Sequence, residues 1–136
     1  MRMSLLWLAP LSLVFCLGGC ASREAPEESG MEISVDFREV HRCSRISPEI
    51  TVAYAPRGTK FYDVRLMQGG EQERYLGGGT WQDDGSGVIP EGALTNHYVG
   101  PCPQNDRETE YLYVVTALEY PGAQPLMTRF YRFKAE

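Results

Sequence analysis

From Glu32 onward, apolar side chains recur at every second position. Ile33, Val35 and Phe37 alternate with Ser34 and Asp36; Ile50, Val52 and Tyr54 with Thr51 and Ala53; Tyr62, Val64 and Leu66 with Asp63 and Arg65. A period of two places such residues on one face of a strand, so each run predicts a strand with one buried face. Tyr111–Leu118 is apolar at almost every position, which predicts a central strand covered on both sides. Pro125–Phe133 predicts a last strand near an edge, and Val88-Ile89 a short one. Turn chemistry separates the runs, at Pro56-Arg57-Gly58, Gly69-Gly70, Gly77-Gly78-Gly79, Asp84-Gly85 and Pro121-Gly122. No window of a dozen residues has the 3.6-residue period of an amphipathic helix. The expected domain, residues 31–136, is all-β, a small sandwich. Within it Gln68–Gln104 stands out, with 37 residues and seven glycines in the first 20, and reads as a long irregular segment.

The first 19 residues follow another pattern. Arg2 precedes an apolar run, Leu5–Leu17, and small residues Gly18-Gly19. That is the layout of an export signal, too short for a membrane span of about 20 residues. Leu17-Gly18-Gly19-Cys20 resembles the lipobox of bacterial lipoproteins. The resemblance implies a signal peptide over 1–19, then Cys20 carrying a diacylglyceryl thioether and an amide-linked chain of palmitate type. Two or more chains hold a protein stably at a bilayer, each buried methylene contributing about 0.8 kcal/mol. Residues 20–30, rich in Glu, Ser, Pro and Gly, read as a flexible spacer behind the lipidated cysteine. Ala21 stands where an inner-membrane retention aspartate is common, so the expected location is the outer membrane, facing the periplasm. An ordinary secretory signal is the alternative.

Composition narrows the possible partners. Without the leader, 117 of the 136 residues remain, enough for one modest core, with 12 basic and 18 acidic side chains and a formal charge of −6. That balance argues against nucleic-acid binding, which needs a basic footprint, and leaves no basic cluster to attract an anionic bilayer. With Cys16 in the leader and Cys20 lipidated, Cys43 and Cys102 remain. An even pair in an oxidising compartment favours a structural disulfide over two free thiols or a metal site.

Two stretches resemble the phosphatidylethanolamine-binding protein (PEBP) family, particularly its bacterial members. One is Cys43-Ser44-Arg45-Ile46-Ser47-Pro48-Glu49-Ile50 followed by Ala55-Pro56-Arg57-Gly58-Thr59-Lys60-Phe61. The other is Tyr98-Val99-Gly100-Pro101-Cys102-Pro103 with Tyr111–Glu119. The resemblance implies that family's β-sandwich; a fibronectin- or Ig-like sandwich is the alternative. The family's small anion pocket uses an Asp-Pro-Asp run and two histidines. At the matching positions this chain has Leu66-Met67-Gln68-Gly69-Gly70, Tyr75–Trp81 and Thr109-Glu110-Tyr111, so the implied pocket has lost its polar groups.

The remaining chemistry is sparse. His41 and His97 lack a third ligand and read as surface or satisfied histidines, although His97 could rim a pocket. Asp83-Asp84-Gly85-Ser86-Gly87 lacks EF-hand spacing and reads as a solvated turn. Neither a Gly-x-Ser-x-Gly elbow nor a phosphate loop is present, so no enzyme, cofactor or metal is expected. Tyr75, Trp81, Tyr98 and Tyr120 lie in or beside glycine-rich segments, where aromatics serve recognition or cover a small core. The expected function is a non-catalytic binding domain on a lipid anchor, acting on a protein partner through a loop surface near Trp81 and Tyr98. The alternatives are a small anionic-ligand or phospholipid-headgroup binder, using His97, Gly100, Pro101 and Tyr111, and a purely structural module.

Overall fold

The computed structural model describes residues 30–70, 73–104 and 108–136. The expected signal peptide, Cys20 and the expected spacer up to residue 29 lie outside the described residues. The period-two runs become strands of two antiparallel sheets. In the smaller sheet β1 (Glu32–Val35) pairs with β2 (Ile50–Ala53), which pairs with β5 (Val88–Ile89). The larger sheet has the order β4-β3-β6-β7, with β3 at Phe61–Gln68, β4 at Arg74–Gln82, β6 at Thr109–Leu118 and β7 at Met127–Ala135. A 3-10 turn, Glu39–His41, follows β1. No described helix is long and apolar enough to cross a membrane.

Alternation decides which side chains meet between the sheets. Tyr62, Val64 and Leu66 of β3 and Tyr111, Tyr113, Val115 and Ala117 of β6 pack in one cluster with Ile50, Val52 and Ile89 of the smaller sheet. Phe133 of β7 adds to it, stacking on Tyr111 and Tyr113 with both ring centroids 5.7 Å away. Burying a side chain of this size contributes about 1.5–3 kcal/mol, which makes this layer the main source of stability.

Three readings need correction. β6 is central, between β3 and β7, but only its inner face is sealed. Leu112, Val114 and Thr116 on the other face are half-buried, and no described element lies across them. The alternation of β2 ends at Ala53, because Tyr54 turns into the left-handed region (φ 55°) and stands 70% exposed. The segment read as irregular contains a nine-residue strand, β4.

Glycines hid β4, and the fold requires them. A Cβ at Gly78 would overlap the Val64 carbonyl oxygen, and one at Gly77 (φ 103°) would lie 2.5 Å from the His97 backbone. Glycine is a poor strand former on propensity alone, but here its bare backbone admits a second chain at close range.

The register defines two ends. Glu32 pairs with Ala53, Phe61 with Gln82 and Leu118, and Ala117 with Met127. The turns 54–60, 83–87 and 119–126 therefore share one end with the point where the chain enters. There Arg129 donates from Nε to the Met31 carbonyl at 2.9 Å. The hairpin after Gln68 and the Cys43–Cys102 disulfide lie at the opposite end. The disulfide is formed as expected, with 4.5 Å between Cα atoms across a sequence separation of 59.

Closing a loop of that length is worth about 4 kcal/mol on the chain-entropy model. We expect Cys43→Ala with Cys102→Ala to lower unfolding stability by about that amount in urea titration. A loss below about 1 kcal/mol would show that the bond constrains the unfolded chain little.

Candidate functional site

The far end carries a cleft whose walls come from separate parts of the chain. One wall is the end of β3 and the start of β4, contributing Gln68, Arg74, Tyr75, Leu76 and Gly77. The other is the segment His97–Gln104. The space between them is about 370 Å³, within the ordinary size range of small-ligand pockets.

The second wall is fixed along its length by hydrogen bonds. Buried Ser47 accepts the Leu94 N–H on its hydroxyl at 3.1 Å, and its carbonyl accepts the Gly92 N–H at 2.8 Å. Asn96 and Gly78 exchange two backbone bonds of 2.9 and 3.0 Å, and the Val99 N–H donates to Leu76 at 2.9 Å. The segment thus runs as a short extra strand on the β4 edge. It then crosses to the 43–48 turn, where Gly100 N–H donates to Ser44 (2.7 Å) and Cys43 N–H to Pro101 (2.9 Å). The disulfide closes this junction. Tyr98 anchors the segment from below, 2% exposed, its hydroxyl 2.6 Å from that of Tyr113.

His97, between two anchored residues, takes a left-handed conformation (φ 54°) and projects outward into the cleft. Arg74 lines the cleft from β4. The lining thus combines two groups able to carry positive charge with the Gln68 and Gln104 amides and the apolar surfaces of Tyr75, Leu76 and Val99. Among the described residues no carboxylate lines it.

The residues singled out from sequence separate into two groups. His97 and Gly100 line the cleft, and Cys102 does so as half of the disulfide. Pro101 is buried behind it, holding Cys43 through its carbonyl. Tyr111 is a core residue, fully buried, its hydroxyl without a hydrogen bond of normal geometry among the described residues. Trp81 lies in β4 near the entry end, half-buried against the core, so it does not join Tyr98 in a loop surface. Tyr98 itself is core. Of the two rings expected at a recognition surface, Tyr98 is core and Trp81 keeps part of its surface exposed. Gln68, Arg74 and Gln104 carried no sequence signal, since their segment read as irregular.

His41 is the satisfied histidine. It is fully buried, accepts the Arg38 N–H on Nδ1 at 2.9 Å, and holds Nε2 2.8 Å from Glu91 Oε1. Acceptance at Nδ1 assigns the proton to Nε2, which donates to the carboxylate. That bond, with Arg38 Nη2 at 3.0 Å, holds the Glu91 carboxyl below the usual carboxylate range. In the Asp83–Gly87 turn both carboxylates face their own backbone: Asp84 accepts the Ser86 N–H at 2.9 Å and Asp83 the Gly87 N–H at 3.1 Å. Ser86 bonding holds the Asp84 carboxyl low.

No family model matches the sequence, and no curated protein matches it. Among solved structures the fold is similar to that of YbcL from E. coli, described as a new member of the mammalian PEBP family. The two share 14% identity over 79% of this chain and 99% of that one, with a TM-score of 0.62. The likeness supports the PEBP-like sandwich over the fibronectin-like alternative.

Three buried tyrosines give a pH signature. Burial pushes the Tyr98 phenol up to about 12, burial and the Asp83 carboxylate push Tyr62 to about 12, and burial also raises Tyr113. In the unfolded chain these phenols ionise near 10. The folded state holds their protons longer, so their contribution is fully present below pH ~10 and is lost as pH rises towards ~12. Titration of phenolate absorbance should show these tyrosines silent until an unfolding transition above pH ~10. Smooth ionisation in the folded state would contradict their burial.

Proposed function

We propose that this chain is a non-catalytic binding module held at a bacterial envelope membrane through Cys20, on the outer membrane facing the periplasm. Its binding site is the cleft between β3–β4 and the 97–104 segment, and its ligand presents a small anionic group. One observation carries this reading: Arg74 and His97 converge on a preformed cleft with two amides and no described carboxylate. In a partly enclosed site, a guanidinium and an imidazole act as charge-assisted donors to an anion, each bond worth about 1.5–3 kcal/mol. The family's carboxylates and histidines are missing at the matching positions, so recognition here falls to different side chains.

The site offers no nucleophile activated by a base. Its cysteine is half of a disulfide, and His41 is engaged by Arg38 and Glu91. These features support binding over catalysis. Tyr75 and Val99, 48% and 39% exposed at the cleft, favour a second reading in which a protein partner presents the anionic group.

The test is an amide-shift titration of the Cys20→Ser protein with phosphate and with phosphoethanolamine. Saturable shifts at Arg74, His97 and Gly100 are expected, and Arg74→Gln should weaken binding about tenfold, one charge-assisted bond. An unshifted spectrum would retire the small-anion reading and leave the protein partner.

A further inference from the structure

The chain enters the domain at the end opposite the cleft. Gly30 and Met31 lie against Met127 and Arg129, where β7 begins, and the Met31 N–H donates to the Met127 sulfur at 3.3 Å. The cleft is built at the other ends of β3 and β4. Between the two ends run strands of eight to ten residues, about 27–34 Å at 3.4 Å per residue.

We infer that the entry end is a membrane-contact surface and that the cleft opens away from the membrane carrying the protein, so its ligand arrives from the aqueous side. The inference rests on the proposed anchor at Cys20. Nine residues lie between Cys20 and Gly30, and the ten steps from one to the other, at 3.3–3.6 Å each, reach about 35 Å at most. Turning the cleft onto the bilayer lifts Gly30 by roughly the length of the strands, which consumes almost that whole reach. Placing the entry end on the bilayer requires hardly any of it.

The side chains at the entry end suit such a contact. Tyr54 and Tyr120, 70% and 59% exposed, are the two most exposed large apolar residues among those described, and Leu126 is 40% exposed beside them on the turn into β7. Tyrosine has an apolar ring and a polar tip, the combination that settles at the headgroup level. Arg57 and Lys60 share this end with Asp83, Asp84 and Glu119, so contact comes from the tyrosines rather than from a basic patch drawn to anionic lipid. A headgroup of the protein's own membrane is thereby a poor ligand for the cleft, and a water-borne anion or an anion on an opposing partner a good one.

The decisive experiment uses the full, acylated protein, labelled with nitrogen-15, in phosphatidylethanolamine–phosphatidylglycerol nanodiscs doped with a gadolinium-chelating lipid. Relaxation enhancement is expected at the amides of Tyr54, Gly58, Tyr120 and Gly122, and none at His97, Gly100 or Gln104. Enhancement at the cleft amides, or equal enhancement at both ends, overturns the orientation while leaving the anchor standing. A protein that mass spectrometry finds unacylated and that washes off the discs fails the anchor, and the inference with it. Tyr54→Ser with Tyr120→Ser tests the surface itself. Both side chains stand on exposed turns, so the fold and the cleft's response to phosphate should persist while enhancement at the entry end falls. Enhancement unchanged in that variant would overturn the tyrosine contact.

Discussion

The far end of this domain depends on a backbone that can be approached closely. Gly77 and Gly78 leave β4 without side chains where the 94–99 segment lies against it, and paired bonds between Gly78 and Asn96 fasten the two. Everything that shapes the cleft follows from that contact. It fixes the height at which His97 projects, directs Tyr98 into the core beneath, and delivers Gly100 and Cys102 to the 43–48 turn. A side chain on Gly77 would push the second wall off the first, and one on Gly78 would push β4 off β3. The disulfide and the Tyr98–Tyr113 hydroxyl pair then secure, covalently and from below, a geometry that the glycines make possible.

The division of labour between the ends is also physical. The stacked rings of Tyr111, Tyr113 and Phe133 fill the space between the sheets, leaving the cleft to polar and half-exposed groups on a rigid frame. A pocket built this way binds with little reorganisation, because its loop wall is already bonded to a strand. Its chemistry can differ without disturbing the core. The fold is similar to that of YbcL, and a shared fold leaves the chemistry of a cleft free to differ.

Much of the architecture was legible in the chain because it rests on local alternation. Tyr62-Val64-Leu66 and Ile50-Val52 announce their buried faces directly, and the apolar run of β6 announces its central place. Two cysteines behind an expected export signal made the disulfide readable through compartment chemistry. β4 was not legible, since Gly77 answers to the distant His97 backbone and Gly78 to that of Val64, and the run looks like a loop to any local reading. Tyr98 and Trp81 stayed open for the same reason: a ring beside a glycine run can face outward or plug a core, and only the tertiary contact decides. The cleft shows the same division. His97 and Gly100 belonged to a recognisable run, whereas Gln68 and Arg74 became part of a site only when the β3–β4 hairpin placed them opposite it.

The pseudo-strand at Asn96–Val99 also affects how copies of this protein behave when crowded. It occupies the middle of the β4 edge, which would otherwise present free amides and carbonyls to any passing strand. The other margin of the larger sheet, β7, carries Arg129, Arg132 and Lys134, and such charges resist edge-to-edge pairing. With one margin occupied and the other lined by charged side chains, neighbouring molecules have little tendency to zip edge to edge into a continuous sheet.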